Sequence, residues 1–108
     1  FMASKTSENI DDVVDEILDY QVDGIILASV AMSSKLASRC NARGVPVILF
    51  NRSQDDDRFS AITSDNILGG QKVARFLIAG GHKRIGYIAG WEGASTQRDR
   101  ETGFVEEL

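Results

Sequence analysis

The side chains of this sequence that could do chemistry stand mostly just after apolar runs. Ser29 follows Gly24-Ile25-Ile26-Leu27-Ala28, and the pair Asn51-Arg52 follows Val47-Ile48-Leu49-Phe50. The loop Gly90-Trp91-Glu92-Gly93-Ala94-Ser95 follows Ile85-Gly86-Tyr87-Ile88-Ala89. Arg100 comes about one turn into the next helical segment, so its side chain can reach back toward the same place. A guanidinium is a planar fork of donors suited to carboxylates, phosphates or paired sugar hydroxyls. The indole of Trp91 could stack on a sugar or base ring, or could simply cover the end of a sheet. Spacing alone describes a polar crevice and stops there.

Enzyme chemistry finds less support. Gly90-x-x-Gly93 after a strand resembles part of a dinucleotide loop, but the third glycine of that fingerprint is missing and no acidic residue closes a following strand. No lysine follows a glycine loop in the phosphate-binding arrangement. His82, the single histidine, lies behind Gly80-Gly81 with no nucleophile or orienting carboxylate placed nearby, and reads as satisfying helix-end carbonyls. Cys40, the single cysteine, lies on the apolar side of a short helix and reads as core. One cysteine excludes a disulfide framework and a cysteine-rich metal site. No catalytic residue, cofactor or metal is expected.

The elements that must position these groups follow from periodicity. Ile10, Val13, Val14, Ile17 and Leu18 recur at helical spacing, with Asp11 and Asp12 in the first turn, where carboxylates suit the helix dipole. The runs from Ile25 and Val47 are apolar without alternation, as expected of parallel strands covered on both faces. Between them Leu36, Ala37 and Cys40 support a helix near 33–43, closed by Gly44 in a left-handed cap, and Pro46 opens the second strand. The loop Gln54-Asp55-Asp56-Asp57-Arg58 reads as a solvated turn, and Phe59 to Thr63 as a short edge strand. Ser64, Asp65 or Asn66 can cap the next helix, with its stripe Ile67, Val73, Ala74, Leu77 and Ile78 and its stop at Gly80-Gly81. A further strand over 85–89 and a last helix begun by Ser95 or Thr96 complete the chain; Phe1-Met2-Ala3 reads as a strand end before the turn from Ser4 to Ser7. Alternating strand and helix predict an α/β fold with parallel sheets and right-handed crossovers.

The sequence has 108 residues, 43% apolar and 26% charged, a size and mixture usual for one compact globular unit. A net charge of -4 argues against a nucleic-acid surface, because phosphate neutralisation needs a basic face. No apolar run approaches the roughly 20 residues of a membrane-spanning helix, and no secretory signal pattern opens the chain. A strand at residue 1 and a stop at Leu108 inside a helix predict an internal piece of a longer protein, with an apolar face left uncovered.

A longer string ties these pieces together: Asp65-Asn66, Gly69-Gly70, Ala74, Leu77, Gly81-His82, Ile85, Ile88, Gly90, then Arg100-x-x-Gly103-Phe104. It resembles the effector-binding core of the LacI/GalR family of bacterial transcription regulators. Val22-Asp23-Gly24-Ile25-Ile26 and Gly44-Val45-Pro46-Val47 with Asn51-Arg52 are similar to the same family in the same order. The resemblance implies a periplasmic-binding-protein-like type I fold, present only in part, in which two α/β subdomains hold a small molecule between them. It places residues 1–64 in the N-terminal effector-binding subdomain and 65–108 in the crossover and the start of the C-terminal one, with the DNA-binding head absent. It makes Arg100 an effector contact, with Ser29, Asn51, Arg52 and Trp91 at cleft-lining positions and Gly69-Gly70 and His82 as structural members. The implied partners are a sugar, sugar phosphate or purine effector, operator DNA through the head, and a second copy in a homodimer that uses the helix near 33–43. The implied function is the sensing part of a cytoplasmic repressor that alters operator affinity. The alternative is a sugar-binding protein of a bacterial import system, which shares the fold.

Overall fold

The computed structural model describes residues 7–108, which divide into two compact units, one running up to Ile62 and the other Thr63–Leu108. The expected strand end at Phe1-Met2-Ala3 lies outside the described residues. The length suits a single compact unit, yet the core cluster is drawn wholly from the first unit, and the second is held by its own helix pair.

The first unit contains α1 (Ser7–Asp19), β1 (Ile25–Ala28), α2 (Ser34–Ala42), β2 (Val47–Phe50) and β3 (Ser60–Ile62). The strands form a parallel sheet in the order β1-β2-β3, with Ile25 opposite Val47 and Ile48 opposite Ser60. Helical spacing buries Ile10, Val14 and Leu18 of α1, while Leu36, Ala37 and Cys40 of α2 join them. Both helices meet one face of the sheet, through Ile25, Leu27, Val47 and Leu49. The ion pair of Asp15 with Arg39 links the helices at the surface.

The uniformly apolar strands are therefore covered on one face only: cover on both faces is not found among the described residues, and the expected uncovered apolar face is. Ile26, Ile48, Phe50 and Ile62 point away from the helices and are exposed. Composition shows that a face is apolar, and says nothing about which element lies on it.

Local chemistry sets the connections. The Ser33 hydroxyl accepts the Leu36 N–H at 3.2 Å and starts α2. Gly44, at φ 68°, turns the chain out of α2, and the Val45 N–H donates to the Cys40 carbonyl at 3.0 Å. Pro46 lacks a donor, but its carbonyl accepts from the Ile25 N–H at 2.9 Å. Burial pushes the Cys40 thiol above its ordinary range, in keeping with a core role.

The second unit contains α3 (Asn66–Ala79) and α4 (Ser95–Glu107). Of the three expected caps, Asp65 takes the role, its carboxylate accepting the Leu68 N–H at 3.0 Å. Gly80 ends α3, Gly81 follows at φ 83°, and the His82 backbone N–H donates to the Leu77 carbonyl at 3.2 Å. Helix α4 begins at Ser95, though its cap, Ala94, makes no side-chain bond. The helices cross at glycines: a Cβ on Gly70 would lie 2.8 Å from the Phe104 nitrogen, and one on Gly103 would lie 2.8 Å from the Ile67 carbonyl carbon. The expected strand over 85–89 is not formed. A strand needs a ladder, no neighbouring strand is present among the described residues of this unit, and Ile88 is 99% exposed.

Candidate functional site

Two adjacent strand ends of the first unit build the polar group read from the sequence. The ladder runs one residue beyond each strand: the Ser29 N–H donates to the Phe50 carbonyl and the Asn51 N–H to the Ile62 carbonyl, both at 2.8 Å. Immediately there the chain turns left-handed, with Ser29 at φ 59° and Asn51 at φ 62°. Asparagine tolerates that conformation, whereas serine holds it at a cost of about 1 kcal/mol, so the surroundings must impose it. The Asn51 Nδ2 donates to the Ser29 Oγ at 3.0 Å, tying the two ends together. Arg52 is half-buried next in the chain.

Two features hold the loops beyond. Gln54 grips the Met32 backbone at both groups, its Oε1 accepting the Met32 N–H at 2.9 Å and its Nε2 donating to the Met32 carbonyl at 2.8 Å. Arg58 donates to the Asp56 carboxylate through Nε and Nη2, at 2.9 and 2.6 Å, and to the Ser38 hydroxyl of α2. The stretch expected to be a solvated turn is thus ordered at Gln54, Asp56 and Arg58, while Asp55 and Asp57 remain exposed. The Arg58 guanidinium holds the Asp56 carboxyl down at about 2, from an ordinary 3.8. A group depressed by folding supports the fold above its ordinary pKa, and that support fades as pH falls toward 2. A carboxyl-detected NMR titration should return Asp56 toward 3.8 in Arg58→Ala; an unmoved midpoint would mean that Arg58 does not hold it.

In the second unit, Arg100 is exposed and donates its Nε–H to the Asn66 Oδ1 at 2.9 Å. It borders a hollow of about 460 Å³ among α3, α4 and residues 86–88, with Val73, Leu77 and Phe104 giving it an apolar wall. The Tyr87 and Phe104 rings meet there, centroids 5.0 Å apart. Trp91 does not border the hollow. Its indole is 66% exposed and folds back over Gly93, where a Cβ would fall 2.5 Å from Cε2. The Ala94 N–H donates to the Trp91 carbonyl at 3.1 Å, and the Arg98 Nη1 to the Glu92 carbonyl at 2.8 Å.

Ser29 and Asn51 are therefore brought into direct contact, while Arg100 and Trp91 belong to the other unit. Sequence reasoning missed Gln54 and Asn66 as site-building residues. Gln54 sits in a run that looks fully solvated. Asn66 stands beside the true cap, and neither its candidacy as a cap nor its place in the Asp65-Asn66 string signals that its amide is buried. Among the described residues no group of three or more acidic, histidine or cysteine side chains is placed to hold a metal ion, and no helix is long and apolar enough to cross a membrane.

Comparisons with known proteins bear on this geometry. Residues 2–108 match the family described as periplasmic binding proteins and sugar binding domain of LacI family. A curated relative, Probable HTH-type transcriptional repressor ExuR of Bacillus subtilis, is 29% identical over 102 residues, covering 92% of this chain and 31% of its own. Ribose import binding protein RbsB of the same organism is 31% identical, with 94% of this chain and 34% of its own covered. The solved structure of a transcription regulator from Lactobacillus plantarum superposes with a TM-score of 0.78 at 30% identity, over 94% of this chain and 38% of that one. The chain spans about a third of the length of these relatives. With its parallel sheet, flanking helices and polar strand ends, the chain belongs to the family of periplasmic binding proteins and LacI-type sugar-binding domains, and it carries part of their type I fold.

Proposed function

We propose that this chain is the effector-sensing portion of a cytoplasmic, homodimeric LacI-type repressor. Residues 1–64 belong to its N-terminal effector-binding subdomain and 65–108 to the crossover and the start of the C-terminal one, the effector being a small metabolite such as a sugar. The proposed effector contacts are Ser29, Asn51 and Arg52 of the first unit and Arg100 and Trp91 of the second. The observation that carries this reading is the pair of left-handed residues at neighbouring strand ends, joined by the Asn51–Ser29 hydrogen bond. Open parallel sheets take ligands at the carboxyl ends of their strands, and imposed backbone strain there marks a built site. Arg100 adds a planar donor fork. The effector must bind two subdomain orientations unequally, or operator affinity does not change. In such a regulator the DNA contact is made by a basic head, consistent with the acidic balance of this chain.

A second reading, an import-system binding protein, is favoured by the likeness to the ribose import binding protein. Two measurements on the intact protein separate them. Ribose, galactose, ribose 5-phosphate and hypoxanthine are screened by thermal shift, where a ligand at about 100 times its Kd adds about 2.7 kcal/mol of stability. The ligand that binds is then titrated against protein bound to an operator selected from genomic DNA. A regulator changes its operator affinity with the ligand; an import protein binds the ligand and ignores DNA. Arg100→Ala should weaken ligand binding by about tenfold or more, the loss expected for a charge-assisted contact. Unchanged affinity by calorimetry removes Arg100 from the site.

A further inference from the structure

We infer that Asn66 is the positioning residue for Arg100, and that by taking the Nε–H it leaves the two Nη groups as an end-on fork for a ligand with paired acceptor atoms. The inference rests on the reading of Arg100 as an effector contact. Asn66 is only 6% exposed, a buried amide in the first turn of α3. Its Nδ2 donates to the Ser64 carbonyl at 3.0 Å, and a carbonyl can accept only from the nitrogen side of an amide. That bond settles which way round the side chain sits, so the Oδ1 is the atom turned to Arg100, at 2.9 Å from Nε.

The arginine's backbone is held as well. Gly70 lets α3 approach so closely that a Cβ there would lie 3.1 Å from the Arg100 carbonyl carbon and closer still to its oxygen. Side chain and main chain of Arg100 are thus both referred to α3. The anchor is a neutral oxygen and not a carboxylate, and among the described residues no carboxylate pairs with Arg100. Its full positive charge stays available. A guanidinium has five N–H donors, and with one used at Nε the other four lie on the two Nη atoms. The side-on contact, which uses Nε with one Nη, is closed. What remains is the end-on contact, which matches two acceptors on one edge of a ligand: a carboxylate, a phosphate, neighbouring hydroxyls or a purine edge. Fixing the fork beforehand also lowers the ordering cost of binding.

The test reads the Arg100 Nε–H directly, by nitrogen-proton NMR of the intact protein, with the signal assigned by its loss in Arg100→Lys. It should exchange slowly with water in the free protein and stay in place when ribose, ribose 5-phosphate or hypoxanthine is added, with ligand-induced shifts confined to the Nη signals. In Asn66→Ala its exchange should rise to that of an exposed arginine, and affinity for the ligand that binds should fall about fivefold. Combined with Arg100→Ala, Asn66→Ala should add no further loss, because it acts only through the arginine. Fast exchange of the Arg100 Nε–H in the unaltered protein overturns the inference, whether or not Asn66→Ala folds. So does an Arg100→Ala loss to which the Asn66→Ala loss simply adds. Should Arg100→Ala leave affinity unchanged while the Nε–H is protected and Asn66-dependent, the anchor stands and the effector role of Arg100 falls.

Discussion

Leu49→Ala should cost the unit up to Ile62 about 3 kcal/mol, within the range measured for truncating a fully buried leucine. Leu49 has no exposed surface and lies on the middle strand, with Leu27 of β1 opposite on one side and Ala61 of β3 on the other. Its side chain belongs to the cluster that α1 and α2 close over. The loss has two parts: the transfer free energy of the removed carbons, and a cavity that the surroundings cannot fill. Collapse is resisted because β2 is held by ladder bonds on both sides and cannot sink toward the helices without breaking them. Native-state hydrogen exchange should show the loss at the β1 and β2 amides. A change below about 1 kcal/mol would mean that the sheet yields and that the helix-covered face is not close-packed.

The same strands show where a sequence informs and where it stops. Pro46, Gly44 and the apolar runs place β1, β2 and α2 because each rests on chemistry local to a few residues. Cover on the second face is a long-range fact, and Ile26, Phe50 and Ile62 look like core residues by composition while standing in the open. Residues 85–89 have the apolar character of a strand, but strand identity comes from a partner, so the pattern alone did not produce one. For the candidate site, position was legible and construction was not. Ser29 and Asn51 could be placed at strand ends, yet their left-handed backbone and their mutual bond depend on register across two strands. Gln54 is compositionally indistinguishable from the aspartates after it, and only the neighbouring loop's backbone gives its amide a task. Gly69 and Gly70 form one motif in the sequence, but a Cβ on Gly69 meets open space and one on Gly70 meets α4.

That last contrast makes the helix crossing testable from both sides. Gly103→Ala should destabilise the Thr63–Leu108 unit by about 2 kcal/mol, the net of two opposing terms. Alanine favours a helix interior over glycine by about 1 kcal/mol. Against this, the added Cβ would fall inside contact distance of the Ile67 carbonyl oxygen, with the Ile67 carbonyl carbon at 2.8 Å and its Cα at 3.0 Å. All are backbone atoms of α3, so no side chain can swing aside and the helices must separate, at a cost of about 3 kcal/mol for overpacking. Gly69→Ala should do the reverse, stabilising the same helix pair by about 0.5–1 kcal/mol, since it gains propensity and meets nothing. Denaturant unfolding and exchange at the α3 amides measure both. If both variants stabilise, the crossing is looser than the glycines imply. If Gly103→Ala destabilises as expected, the Arg100–Asn66 bond should lengthen with it, because α4 carries Arg100, α3 carries Asn66, and the glycine crossing sets the distance between them.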